Sequence, residues 1–400
     1  MSRALARGPI GGRLGAALSL TVLLCGAISV GLVFVALVPV LPLLAADYAG
    51  PDGHGGELFA QSVMTFPAIG LIVGGFASAL MIRALGPAQL LAIGLVLIGT
   101  CGLAAMEIRN GPLLLGSRLV LGLAASMVTI STTALISACY ADTTRARMIG
   151  IKGALGAVGS VAGIMISGWL GDIGGWRLPN LLYLFAWLLL ALVLLSIPLA
   201  RPAPAAVGRS AGALDALRLL WPIYLMVVGF GIVLMMTNTQ LSFLLAEIGI
   251  TRPTEASRIL VISSISSAIG GFALGSVRLW IGIGRVLPLA FACWGVGLLL
   301  LGFAHSIPPA VAGCFLAGFA GGLFVPHMVA TLAGTAPLPI RDRAIAILYS
   351  AIFLGDFLNP LIIRPVSEAL TRHGAFTLVG LVCVAATVVA LVRHPRAAPA

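Results

Sequence analysis

Charge is what this sequence has least of. Only 9% of its 400 residues are Asp, Glu, Lys or Arg, 60% are hydrophobic, and the mean hydropathy is +1.14. A soluble domain carries roughly 25% charged residues. A chain this poor in charge cannot cover its apolar surface in water, which excludes a soluble globular protein and leaves a polytopic membrane protein. Acids are scarcer than bases, with 12 Asp and Glu against 23 Lys and Arg. The six cysteines (Cys25, Cys101, Cys139, Cys293, Cys314, Cys383) fall in or at the ends of apolar segments. Their spacing matches neither a disulfide framework nor a zinc site, so they read as small buried residues. HExxH, a P-loop and GxSxG are all missing, as is any polar stretch long enough to form a nucleotide-binding domain. These absences speak against an enzyme and against ATP-driven chemistry, and no metal or cofactor is expected.

What is present is a succession of apolar runs of spanning length, about 20 residues each. They lie at 18–46, 58–82, 89–106, 112–139, 148–170 and 178–199, then at 219–246, 259–281, 286–304, 309–335, 344–366 and 375–392. The pattern predicts an all-α membrane protein of twelve helices, six in a bundle over 1–199 and six over 218–400. A Pro- and Ala-rich linker at 200–217 joins them. Arg3, Arg7 and Arg13 before the first run mimic a signal peptide, but that run is too long for one, so an uncleaved first helix is expected.

Placing the loops alternately on two sides puts sixteen of the 23 basic residues on the side of the termini, Lys152 among them. The other side takes most of the acids, including Asp52, Glu57, Glu107, Asp172 and Glu255. By the positive-inside rule both termini are then cytoplasmic. The basic excess is topological in origin and gives no support to nucleic-acid binding. The two halves also echo each other. Gly74-Gly75-Phe76-Ala77 returns as Gly270-Gly271-Phe272-Ala273, and Gly86 and Gly282 keep the same offset. Such an echo suits a duplicated transporter with its site between the halves.

Within the apolar runs, a few polar residues stand out. Asp356 sits near the middle of 344–366, where an acid costs roughly 2.5–3.5 kcal/mol even on the lenient insertion scale. Asn359 is one turn on, and Pro360 cannot donate to the carbonyl of Asp356. This cluster reads either as an acid hydrogen-bonded to a neighbouring helix or as a proton or substrate site. Arg118 enters the fourth run with Gly122, Ala125, Thr129 and Thr132 on about the same face. It reads as a charge in a polar cavity or as an arginine snorkelling to the interface. Pro39 and Pro42 interrupt the first helix, and Pro326 precedes His327 in the tenth. The seventh carries Thr237-Asn238-Thr239-Gln240. Asn238, Gln240 and His327 read either as substrate contacts or as interhelical hydrogen-bonding groups. On an ordinary helix, Asn238 and Gln240 point about 200° apart. The fifth run has a stripe of Gly156, Ser160, Gly163, Ser167 and Gly171 with Gly159 and Gly168 beside it. The eighth offers Ser263, Ser267, Gly270 and Gly271. Both suggest close helix packing and a gliding interface between the halves.

The blocks GSRLVLGLAAS, GWLGDIGGWRLPNLLYLF and VPVLPLLAADY, with FLGDFLNP, together resemble the major facilitator superfamily. Within it they resemble the twelve-helix, proton-linked drug exporters. The resemblance implies two pseudo-symmetric six-helix bundles, alternating access, and a cavity lined by helices one, four, seven and ten. It also implies that Arg118 takes part in proton coupling. Three departures stand against it. Asp356 and Asn359 occupy positions usually held by Gln and Ser, Ile164 replaces a proline of the exporter-associated motif, and MIRALGPAQLL lacks that loop's usual acid. The expectation is a monomeric secondary transporter of the bacterial inner membrane, lipid-embedded and exchanging protons for a small amphiphilic or xenobiotic molecule. Uptake or uniport of a metabolite is the first alternative, to be told apart by reversing the gradient. A receptor or scaffold that binds without flux is another.

Overall fold

A computed structural model describes residues 12–50, 55–140, 142–197, 213–337 and 340–393. Helices α1 (Gly12–Val35), α2 (Leu41–Asp47), α3 (Gly56–Leu85), α4 (Pro87–Ala104), α5 (Gly111–Cys139), α6 (Asp142–Gly174) and α7 (Leu184–Ser196) make up the first half. The second half holds α8 (Ala213–Met235), α9 (Leu241–Glu247), α10 (Pro253–Ile281), α11 (Val286–Gly302), α12 (Ile307–Thr335) and α13 (Arg341–Arg393). No strand occurs among the described residues. The chain divides into two compact units, Met1–Gly208 and Arg209–Ala400. The expected linker at 200–217 lies mostly outside the described residues, and its end opens α8.

Among the described residues, ten helical stretches are long and apolar enough to cross a membrane. Two of them, Arg147–Ser196 and Arg343–Val392, run to 50 residues. A helix of that length is about 75 Å long, more than twice the ~30 Å hydrocarbon core. Each is broken near its middle, the first by a 3-10 stretch at Gly175–Tyr183 and the second at Thr371, whose φ is 69°. Divided at these breaks, the ten stretches accord with the twelve runs of the sequence.

The first helix is not continuous. Pro39 falls in a 3-10 turn, Val38–Val40, and Pro42 sits at the start of α2. A proline there removes a backbone donor, so carbonyls in the break need partners from elsewhere. Ser167 of α6 supplies one, its hydroxyl donating to the carbonyl of Ala36 at 2.5 Å. On the far side of the break, Asp47 accepts from the Trp176 indole at 2.9 Å and pairs with Arg177 at 3.1 Å. Two of the sequence blocks, VPVLPLLAADY and GWR, thus meet at one carboxylate.

The core of the first unit is aliphatic, with Leu23, Leu91, Leu95, Leu121, Val128 and Leu189 buried together from α1, α4, α5 and α7. The second unit has an aromatic centre, where the Phe230 and Phe324 rings stack at 3.9 Å and Trp294 lies 4.6 Å from Phe230. Large apolar side chains cover the outside of both units, as lipid-facing helices require. Phe76, Phe272 and Trp280 are among them.

Backbone contacts repeat between the units at one chain separation. A Cβ on Gly122 of α5 would meet the carbonyl oxygen of Pro67 in α3, and one on Gly318 of α12 would meet that of Ser263 in α10. Gly74 lies against Leu123 as Gly270 lies against Phe319. Gly86 and Gly282, which end α3 and α10, have φ/ψ of 82°/161° and 81°/156°. That positive φ favours glycine. The small-residue stripes are consumed inside the units. Gly159 and Gly163 pack on Ile28 and Leu32 of α1, and Gly270 packs on α12. A Cβ on Gly271 would lie 3.7 Å from the Gly322 carbonyl of α12, and Gly168 is buried. Gly159, Gly163 and Gly270 thus pack closely on helices of their own half.

Gly122→Ala forces α3 and α5 apart and is expected to destabilise the protein by about 1–3 kcal/mol. A lower unfolding midpoint in detergent would show it. Gly75→Ala, which meets nothing within 4 Å, is expected to leave the midpoint unchanged.

Candidate functional site

Arg118 lies in the first unit, 1% exposed, on the helix that Asn110 caps by accepting from the Leu113 N–H at 3.0 Å. Its guanidinium donates to the Asn180 amide oxygen at 2.9 Å and to the Tyr183 hydroxyl at 3.1 Å. Both partners come from the 3-10 stretch, and both are buried. Asn180 is held in turn by the carbonyl of Arg177 at 2.8 Å. Tyr183 rests on Gly102 of α4, where an added Cβ would meet the ring. Among the described residues no carboxylate pairs with Arg118, and its Nε has no partner. The arginine is thus an uncompensated cation held by neutral groups inside the bundle, rather than one snorkelling to an interface.

Thr129 and Thr132 do not join it. Fourteen residues along α5 place Thr132 about 21 Å away from Arg118. Thr132 is buried and donates to the carbonyl of Val128 at 2.7 Å, and the exposed Thr129 donates to that of Ala125 at 2.8 Å. Together with Thr133 they cradle Lys152 of α6. Its Nζ lies 2.7 Å from the Thr132 hydroxyl, 2.9 Å from the Thr133 hydroxyl and 3.2 Å from the Thr129 carbonyl. The Thr132 and Thr133 hydroxyl protons already go to backbone carbonyls. All three oxygens therefore accept, which matches the three donors of an ammonium group. Lys152 falls in the run at 148–170, and the structure buries it to 8% exposure. A signal was available: Lys152 is the single lysine in a chain that otherwise uses arginine.

In the second unit, α8 and α13 cross where Gly231 meets the carbonyl of Ile352 and Gly355 that of Val228. This contact buries the next residue, Asp356, to 3% exposure, and its Oδ1 has no hydrogen-bond partner among the described residues. Asn359 does find partners. It donates to the Ile232 carbonyl at 2.7 Å and accepts from the Thr239 hydroxyl at 3.2 Å. Thr239 lies in Met236–Gln240, a π-helical turn. The polar run of the seventh helix thus coincides with a widened turn, which Asn359 braces from α13. Asn238 is half-buried there. Gln240 is buried and accepts from Arg372 at 2.9 Å, while Arg372 also binds Glu247 at 2.8 Å. His327 follows Pro326 in α12, is buried, and takes a hydrogen bond at Nδ1 from Arg278 at 3.1 Å. Pro326 lies inside α12, and Pro360 inside α13 ahead of its break at Thr371.

Apolar bundles that carry isolated ionisable groups on spanning helices define a multi-pass membrane protein with polar sites buried at depth. The family model described as the Major Facilitator Superfamily matches residues 23–285 and 223–400. The chain belongs to that superfamily and is a transporter, not an enzyme. The chain is 22% identical over 129 residues to the multidrug efflux pump Tap of Mycolicibacterium fortuitum, a match spanning 32% of each protein. Its structure is similar to that of a peptide transporter POT in complex with alafosfalin, with a TM-score of 0.77, 14% identity and 98% of each chain covered. It is also similar to the nucleoside transporter NupG, with a TM-score of 0.68 and 20% identity, covering 93% of this chain and 98% of that one. At these identities the solved structures carry the fold alone.

Asn180→Ala removes a charge-assisted hydrogen bond from a buried cation and is expected to cost about 1.5–3 kcal/mol. Tyr183→Phe is expected to cost less, because a neutral hydroxyl is lost while the ring stays on Gly102. Unfolding midpoints of the two variants in detergent check the order.

Proposed function

We propose that this transporter exports a small amphiphilic or xenobiotic molecule in exchange for protons, by alternating access between its two halves. The observation that carries the proposal is Asp356, buried with an oxygen that no described residue satisfies. An ionised carboxylate so placed is costly by several kcal/mol, and binding a proton removes that cost. Asp356 adjoins the Gly231–Gly355 crossing of α8 and α13 and the π turn that Asn359 braces. A change of charge there acts on the two helices packed most closely around it. In this reading Asp356 is the proton carrier and Arg118 a fixed cation that sets the field in the first half. Thr129, at an exposed position, and the half-buried Asn238 are the polar side chains that each half offers a passing substrate. Thr132, Gln240 and Asn359 hold the surrounding helices.

Export is the direction favoured by the partial match to Tap. The arginine-rich loops on the side of the termini support a cytoplasmic placement of both ends in a bacterial inner membrane. A monomer suffices, since both halves lie in one chain.

Purified protein in liposomes tests the coupling. With an imposed proton gradient, Asp356→Asn is expected to lose gradient-driven accumulation of substrate while retaining exchange down the substrate's own gradient. Full-rate uphill transport by this variant would eliminate Asp356 as the carrier. Accumulation that persists with the gradient reversed would assign uptake instead of export.

A further inference from the structure

We infer that the cavity among α8, α11 and α12 binds apolar carboxylates, with His327 as the hydrogen-bond donor to the acid group. The cavity measures about 430 Å³ and is lined by Ile223, Met226, Leu287, Met328, Leu332 and His327. That size is within the ordinary range for small-molecule sites, about 300–1,000 Å³. Its wall is almost wholly apolar, and the two methionines can adjust to bodies of different shape.

The polar end is fixed by the tautomer of His327. An arginine can only donate, so the Arg278 contact at 3.1 Å makes Nδ1 the acceptor and leaves the ring proton on Nε2. Arg278 also donates to the His327 carbonyl at 3.4 Å, which holds the ring's orientation. The Nε2–H finds no partner among the described residues and is the donor the ring offers to the cavity. Behind it stands the Arg278 guanidinium, with which no carboxylate pairs among the described residues and whose Nε is buried without a partner. A donor backed by an uncompensated positive charge selects a negative acceptor over a neutral one.

Ile283 and Gly284, in the turn after α10, also line the cavity, and Trp280 at the end of α10 is 91% exposed. Exposed tryptophan at a helix end marks the membrane–water boundary. An amphiphile with its acid at that boundary and its apolar body inward matches this placement. The assignment deepens the proposed export by naming a substrate class, and it rests on that reading for its physiological purpose.

Equilibrium binding of naphthylacetate and naphthylethanol to the full chain in phosphatidylcholine nanodiscs tests it. The acid is expected to bind at least about tenfold more tightly than the alcohol, as a charge-assisted hydrogen bond implies. His327→Ala is expected to lose that tenfold, while His327→Gln, which keeps an N–H donor near the same place, retains most of it. Met226→Trp fills the cavity and is expected to abolish binding of both compounds. Equal binding of acid and alcohol by the unaltered protein would overturn the assignment. So would undiminished binding by His327→Ala or by Met226→Trp, whichever variant folds. Displacement of naphthylacetate by oleate added to the bilayer would assign the ligand to the membrane, and no displacement would assign it to the aqueous phase; the site stands in both cases. Binding is read without a gradient, so its failure removes this assignment alone, whereas failure of the Asp356→Asn experiment removes proton coupling alone.

Discussion

Hydrocarbon supplies no hydrogen bonds, and each polar group within the spanning helices must find its partner in the chain. The structure meets this constraint locally. Where Pro39 and Pro42 interrupt the first helix, Ser167 reaches across to the carbonyl of Ala36. Where the seventh widens into a π turn, Asn359 reaches across to the carbonyl of Ile232. Arg118 is held by an amide and a phenol, and Lys152 by three threonine oxygens. Nitrogens of Arg118 and Arg278 stay unpartnered among the described residues, and Asp356 is the one carboxylate there with a buried oxygen left unmatched.

The same constraint explains the glycine content. Because lipid tails are as apolar as leucine, helices associate by close packing and not by hydrophobic expulsion. Gly122 on Pro67, Gly318 on Ser263 and Gly355 on Val228 bring backbone to within a methyl group's width of a carbonyl. The first two contacts are counterparts in the two halves. Their repetition, together with the matching backbone angles at Gly86 and Gly282, shows that the duplication preserved approach distances as well as connectivity.

Much of the architecture was legible in the residues because hydropathy and proline act locally. Charge scarcity and the length of the apolar runs were enough to read an all-α, multi-pass membrane protein. Pro39 and Pro42 announced the break before Leu41. Asp356 was conspicuous as an acid deep in an apolar run. Partners were not legible. Nothing in one sequence says that Asn180 and Tyr183 face Arg118 across some sixty residues, or that Asp47 meets Trp176 and Arg177. The π turn was hidden because its polar run was read with the period of an α-helix. Small-residue stripes reveal that something packs closely but not what, and the α1 partners of Gly159 and Gly163 and the α12 partner of Gly270 came only from the structure. The threonine cradle of Lys152 was hidden in the same way, although the residue's uniqueness in composition was visible.

That uniqueness makes the chain a self-labelled object. One side-chain amine exists in the whole protein, and it is enclosed between α5 and α6 with all three of its hydrogens engaged. An amine-selective reagent therefore has a single side-chain target, and that target reacts only when the threonine cradle opens. Its modification rate is an intrinsic clock for the separation of those two helices, readable by mass without introducing a foreign residue.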